Sequence, residues 1–162
     1  MIDKAEMRTN NINYKFSVNR IFYEADFISL LGIKLEDVDV GRCDTSLEIA
    51  NIHRQHLGRV HGGVLVTLSG HAATGAATSL IRDTQDVVSV EFKINILRST
   101  ESGYLFCRGR VIKPGGTLII CEAEVFAGTD ITGKLVAKST FTFMVIDKIG
   151  EFNLQVHQRS LS

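Results

Sequence analysis

The tripeptide His61-Gly62-Gly63 opens a stretch, Val64–Ile81, that contains no Asp, Glu, Lys or Arg and has the composition of a buried helix. A glycine turn at a helix start presents backbone N–H groups that have no intrahelical acceptor, at the positive end of the helix dipole. Donors of this kind suit a carbonyl oxygen that gains negative charge during acyl transfer. Glycine also lets a ligand approach the backbone, because no side chain intervenes. Gly62 and Gly63 are therefore candidate oxyanion and substrate contacts, with His61 as the residue that opens the turn. On its own the tripeptide also fits an ordinary strand-to-helix turn whose glycines serve only the backbone.

The remaining reactive groups are sparser. His71 has an imidazole of suitable pKa for a general base, or for a structural hydrogen bond in a core. His53, His56, His61 and His71 have no Cys or carboxylate close in sequence, so no metal site is expected and no cofactor is implied. Cys43, Cys107 and Cys121 are odd in number, widely spaced and form no CxxC pair. That usage fits a reduced, cytoplasmic chain rather than a disulfide framework. Arg54, Arg59, Arg98 and Lys113 carry positive charge suited to phosphate groups, or simply to solvent.

The chain of 162 residues holds 18 basic and 18 acidic side chains, for a net charge of zero. Such balance lacks the basic footprint of a nucleic-acid binder, and the 44% apolar content excludes a disordered chain. The uncharged run from Val60 to Ile81 is long enough for a membrane span. It contains two His and many Gly, Ser and Thr, however, so a buried helix in a soluble core is expected and no membrane partner.

Several elements must position these groups. Residues 1–16 read as a polar lead-in, 17–148 as one domain and 149–162 as a tail. Apolar residues at helical spacing predict one amphipathic helix from Val18 to Leu31, closed by Gly32. Thr45, Leu47 and Ile49 alternate with polar neighbours as a strand, followed by the long helix over Val64–Ile81. Val88–Ile96 alternates strictly, with Ser89, Glu91, Lys93 and Asn95 on the polar positions. Glu91 is thus expected on the same strand face as Ser89. Tyr104–Ile112 and Leu118–Phe126 flank a Lys113-Pro114-Gly115-Gly116 turn, and Leu135–Val145 forms the last strand after a turn over 127–134. The order makes an α+β domain with an antiparallel sheet around one central helix. Leu97, Tyr104, Phe106 and Ile112 fall out of phase with their strands, so an exposed apolar sheet face and self-association, as a dimer or a dimer of dimers, are expected.

The run Gln55-His56-Leu57-Gly58-Arg59-Val60-His61-Gly62-Gly63 through Leu68 resembles the signature of hotdog-fold acyl-CoA thioesterases of the phenylacetate-pathway type. Phe27–Ile33, Gly41, Val88–Arg98, Lys113–Leu118 and Leu135–Ala137 follow that family's order, so the likeness covers about residues 20–146.

The resemblance implies a long helix wrapped by an antiparallel sheet, a homodimer and an acyl-CoA substrate held at the interface. Gly62 then donates its N–H to the thioester oxygen. Gln55 takes the place of an Asn that positions substrate or water, and Ser89 matches a strand hydroxyl that assists. Gly63, Arg98, Lys113, Gly115 and Gly116 are expected to contact the substrate. The family's catalytic carboxylate, eight residues after the first glycine on the partner's helix, corresponds to Gly70. No Asp or Glu lies between Ile49 and Arg82 to replace it. His71 and Glu91 are the candidate substitute bases, and the vacated space at Gly70 is expected to admit a bulkier acyl group. Two functions remain open: hydrolysis of an acyl-CoA thioester, or non-hydrolytic acyl-CoA binding by a structural relative.

Overall fold

The computed structural model describes residues 7–148. The first apolar-periodic stretch forms two helices, α1 (Tyr14–Tyr23) and α2 (Asp26–Leu31), where the sequence predicts one. The chain leaves the helix at Ala25, which is extended with φ −93° and ψ 95°. Both helices bury one side against the same core, through Val18 and Phe22 and then Ile28 and Leu31, so their apolar spacing runs unbroken across the bend. Gly32, in the left-handed region at φ 68°, closes α2 through bonds to Ile28 and Ser29 carbonyls.

Six strands follow: β1 (Lys34–Asp39), β2 (Arg42–Glu48), β3 (Gln85–Ile96), β4 (Tyr104–Lys113), β5 (Leu118–Ala127) and β6 (Lys134–Asp147). Between β2 and β3 runs α3 (Gly62–Thr78). β1 is absent from the sequence reading, because its residues are mostly charged and a bulge between Leu35 and Asp37 breaks any alternation. The long helix stops at Thr78 rather than Ile81, although Leu80 and Ile81 remain buried beyond its end. No helix among the described residues is long and apolar enough to cross a membrane.

The strands form one antiparallel sheet in the order β1-β2-β4-β5-β6-β3. α3 covers one face, the inner face, lying across β2, β4 and β5. Its Ala72, Ala73 and Ala76 are fully buried there against Cys43, Leu105, Cys121 and Ala123. On the outer face, Asp44 is buried and accepts from Arg108 at 2.7 and 2.6 Å and from Arg42 at 2.5 Å. Removing one partner of such a cluster leaves an uncompensated charge, which costs about 3–5 kcal/mol. Of the four out-of-phase apolar residues, Leu97, Tyr104 and Ile112 are exposed, but Phe106 is buried with the Arg108 guanidinium carbon 5.8 Å from its ring centre.

β3 is the edge strand opposite β1, and α3 barely reaches it. Its inner-face row ends in Phe92 and Ile96, each 52% exposed. A bulge at Val90 shifts the register, so that Ser89 pairs with Phe143 while Glu91 pairs with Thr142. Cross-strand partners share a face, and Phe143 points inward while Thr142 points outward. Ser89 therefore lies on the inner face and Glu91 on the outer one. The expected common face is lost because the extra residue inverts the alternation.

Candidate active site at the start of the central helix

His61 is the N-cap of α3, and its backbone is extended at φ −67° and ψ 138°. Its ring Nδ1 accepts from the Gly63 N–H at 2.9 Å, and its carbonyl accepts from the Val64 N–H at 3.0 Å. The first orphan donors of the helix are thus assigned, leaving the Gly62 N–H to meet a ligand. The Gly63 amide is thus engaged within the turn. Its N–H is held by the histidine two residues earlier, and this explains the His in the turn.

The turn is pinned from behind. His53 is buried; its Nδ1 accepts from the Ala50 N–H at 2.9 Å, and its Nε2–H donates to the Leu31 carbonyl at 2.9 Å. The His53 carbonyl in turn accepts from the His61 N–H at 2.8 Å. A chain of bonds therefore runs from α2 through the 3-10 turn Asn51–His53 to the start of α3.

In front of Gly62 lies a cavity of about 430 Å³ lined by Gln55, Arg59, Leu65, Ile96, Arg98 and Thr100, among others. Gln55 Oε1 accepts from the Leu57 N–H, which leaves its amide NH₂ as the group that can face a ligand. Arg98 donates to the Leu135 carbonyl at 2.6 Å, and Arg59 stands 3.6 Å from Glu101. The cavity thus combines two guanidinium groups, an amide and the positive end of a 17-residue helix, with apolar walls from Leu65 and Ile96. Such a setting stabilises an oxyanion and attracts an anionic ligand.

Within one chain the structure brings Gln55, Gly62 and Arg98 together, and separates the other expected site residues from them. Ser89 lies seven residues before Ile96 along β3, roughly 23 Å away at strand spacing. Gly115 and Gly116 line a different cavity, of about 330 Å³, with Arg8, Arg82, Gln85 and Val145 near the far end of α3. Lys113, at the end of β4, leads into that loop. Gly70 sits mid-helix, and the space beside it is not vacant: a Cβ there would lie 3.2 Å from Phe141 Cε1. The expected extra room for an acyl group is filled by that ring.

His71 is committed elsewhere. Its Nε2–H donates to the Ile21 carbonyl at 3.2 Å, and its ring meets Phe22 edge-on with centroids 4.3 Å apart. Burial pulls its pKa down to about 4, so the imidazole is neutral at pH 7 and faces α1 rather than the cavity. Glu91, on the outer face, does not meet it either. The low pKa has a stability consequence. Between pH 6.5 and about 4 the unfolded chain binds a proton on this His that the folded chain refuses. Stability from this group is full above pH 6.5 and falls as the pH drops through that window, by up to about 3 kcal/mol. Urea midpoints of wild type and His71→Gln measured from pH 7.5 to 4.5 should differ in slope, with the variant flatter; parallel curves would show that His71 does not titrate this way.

The three thiols offer no nucleophile. Cys43, Cys107 and Cys121 are buried, and desolvation pushes all three pKa values up, so they stay protonated. No group of three or more His, Cys, Asp or Glu among the described residues is arranged to hold a metal ion.

Residues 57–134 match the model of the thioesterase superfamily. A 1,4-dihydroxy-2-naphthoyl-CoA hydrolase of Listeria monocytogenes is 31% identical over 118 residues, 73% of this chain and 94% of that protein. The chain belongs to the thioesterase superfamily. Solved structures agree with this placement. A thioesterase family protein of Silicibacter pomeroyi superposes with a TM-score of 0.79 at 29% identity, covering 83% of this chain and 98% of that one. A conserved protein of Pseudomonas aeruginosa gives 0.70 at 30% identity, covering 75% and 94%. The sheet wrapped on α3 is accordingly the hotdog fold of this superfamily, and its general chemistry is hydrolysis of a thioester. Phe141 is the side chain beside Gly70 that sequence reasoning does not reach. The Phe141-Thr142-Phe143 alternation carries only a strand signal, since nothing local links it to Gly70.

Proposed function

We propose that the chain hydrolyses an acyl-CoA thioester slowly, at a site completed by a second copy of itself. The observation that carries this reading is the free Gly62 N–H at the helix start, facing a cavity with Gln55, Arg59 and Arg98. The exposed apolar edge of β3 supports the second copy: Val90, Phe92, Ile96 and Leu97 are each more than half exposed. Antiparallel pairing of two β3 strands about their middle brings the Ser89 end of one copy beside the Ile96 end of the other. That pairing carries Ser89 of one copy to the end of β3 where Gly62 of the other sits. The cavity with Gly115 and Gly116 lies at the Gln85 end of β3, so it too moves toward the other copy's Gly62, within reach of the coenzyme phosphates.

In this reading the thioester carbonyl accepts from Gly62, and a water held by Ser89 and the Gln55 amide attacks the carbonyl carbon. The carbon–sulfur bond breaks, the acid leaves with the water oxygen, and the thiol takes up a proton from solvent. No carboxylate among the described residues is placed to remove the proton from the attacking water. Such a loss costs about 10²–10⁴ in rate while oxyanion stabilisation remains.

A second reading rests on Phe141, whose ring stands where a side chain at position 70 would act. It makes the chain an acyl-CoA binder without turnover. Release of free thiol from short, long and aromatic acyl-CoAs, run beside calorimetric binding, separates the two. Turnover above the uncatalysed rate is expected. Binding without any release would leave the second reading, and neither binding nor release would reject both.

A further inference from the structure

Gly70 and Phe141 divide one volume between them. An ideal Cβ on Gly70 would stand 3.2 Å from Phe141 Cε1 and 3.5 Å from its Cζ. The contact involves a ring edge in a buried row, so the ring must give by a few tenths of an ångström to admit a Cβ. Phe141 stacks on Phe92 at 5.7 Å between centroids and on Phe143 at 5.9 Å, with interplanar angles of 30° and 12°. Phe141 and Phe143 are 3% and 1% exposed, whereas Phe92 is 52% exposed and forms the open end of the row. Register ties this row to the site: Phe92 pairs with Phe141 and Ser89 with Phe143, all on the inner face.

We infer that Phe141 is a specificity-determining residue of the acyl site, its ring forming a fixed floor beneath Gly70 that limits how deep an acyl chain can run. The inference rests on the proposed acyl-CoA site at the interface of two copies. Gly70 gives access, because it adds no side chain above the ring, and Phe141 sets the depth. The floor is uncharged and aromatic, so the group it accepts is apolar. A carboxylate introduced at position 70 presses on the ring, which makes the two positions a coupled pair.

The test uses the full chain with Phe141→Leu, Phe141→Ala, Gly70→Asp and the double variant Gly70→Asp/Phe141→Ala. Binding of straight-chain acyl-CoAs from acetyl to dodecanoyl is measured by calorimetry, with thiol release alongside. Phe141→Ala is expected to shift preference toward longer chains, raising the long-to-short ratio of association constants about tenfold, with Phe141→Leu in between. Gly70→Asp alone should weaken binding of every chain length at least tenfold, and the double variant should recover most of that loss. Phe141→Leu keeps the question open to measurement if the alanine variant does not fold. Unchanged chain-length ratios in folded, binding-competent Phe141 variants would overturn the inference while leaving the acyl-CoA site intact. A wild-type chain that binds no acyl-CoA would overturn the site and the inference together.

Discussion

Gly62→Pro is expected to lower thioester hydrolysis by about 10²–10³-fold while leaving the fold in place. The substitution deletes one atom group, the backbone N–H that no side-chain change can reach. Position 62 is the first residue of α3, where proline is well tolerated because its missing N–H has no intrahelical partner. The residue before proline must be extended, and His61 already is, at ψ 138°. The nearest obstacle to an added Cβ is Ile96 Cδ1 at 3.3 Å, the far end of a flexible side chain. No neighbouring amide can substitute, because the N–H groups of Gly63 and Val64 are both bonded to His61. Gly62→Ala is the control: it adds the same Cβ and keeps the donor, so its rate should stay within several-fold of wild type. Circular dichroism and thermal melting verify the fold, and thiol release gives the rate. A folded proline variant with wild-type turnover would place oxyanion stabilisation elsewhere.

That experiment depends on a feature the sequence states almost outright. The His-Gly-Gly turn, the uncharged run behind it and the alternating strands are local signals, set by side chains close together in the chain. What stayed hidden is long-range. The bulge at Val90 shows only in the pairing of β3 with β6, and it moves Glu91 to the outer face. The filling of the Gly70 site comes from Phe141 on the last strand. His71 looks like a free imidazole until α1 is packed against it, when the Ile21 carbonyl and the Phe22 ring claim it. β1 escaped notice for the opposite reason: a charged, bulged edge strand carries no periodic signal, and it forms because β2 offers it a partner. The unbonded N–H at the helix start is therefore legible in the sequence, whereas the surroundings of any base are not, since they depend on which elements meet.

Gly109→Ala is expected to destabilise the fold by about 3 kcal/mol or more. Alanine for glycine in a strand ordinarily gains a little stability, because the unfolded chain loses conformational freedom. Here the sign reverses. A Cβ at 109 would lie 2.5 Å from both the carbonyl carbon and oxygen of Ala72 and 2.7 Å from the Ala73 nitrogen. These are backbone atoms of α3, so relief requires moving the helix off the sheet. Ala72, Ala73 and Ala76 are fully buried, and their small size is what lets α3 approach β4 so closely. Lifting the helix opens that whole contact and carries Gly62, at its start, away from Ile96 and the cavity. Gly116→Ala provides the comparison, since a Cβ there meets nothing within 4 Å and its backbone has no positive φ. Its urea midpoint should match wild type within about 0.5 kcal/mol of stability. If Gly109→Ala matched it as well, the tight seat of α3 on β4 would not be what holds the helix start in position. A large loss at 109 beside none at 116 would show that the placement of the Gly62 N–H is fixed by backbone contact at mid-helix, about 15 Å away along the helix.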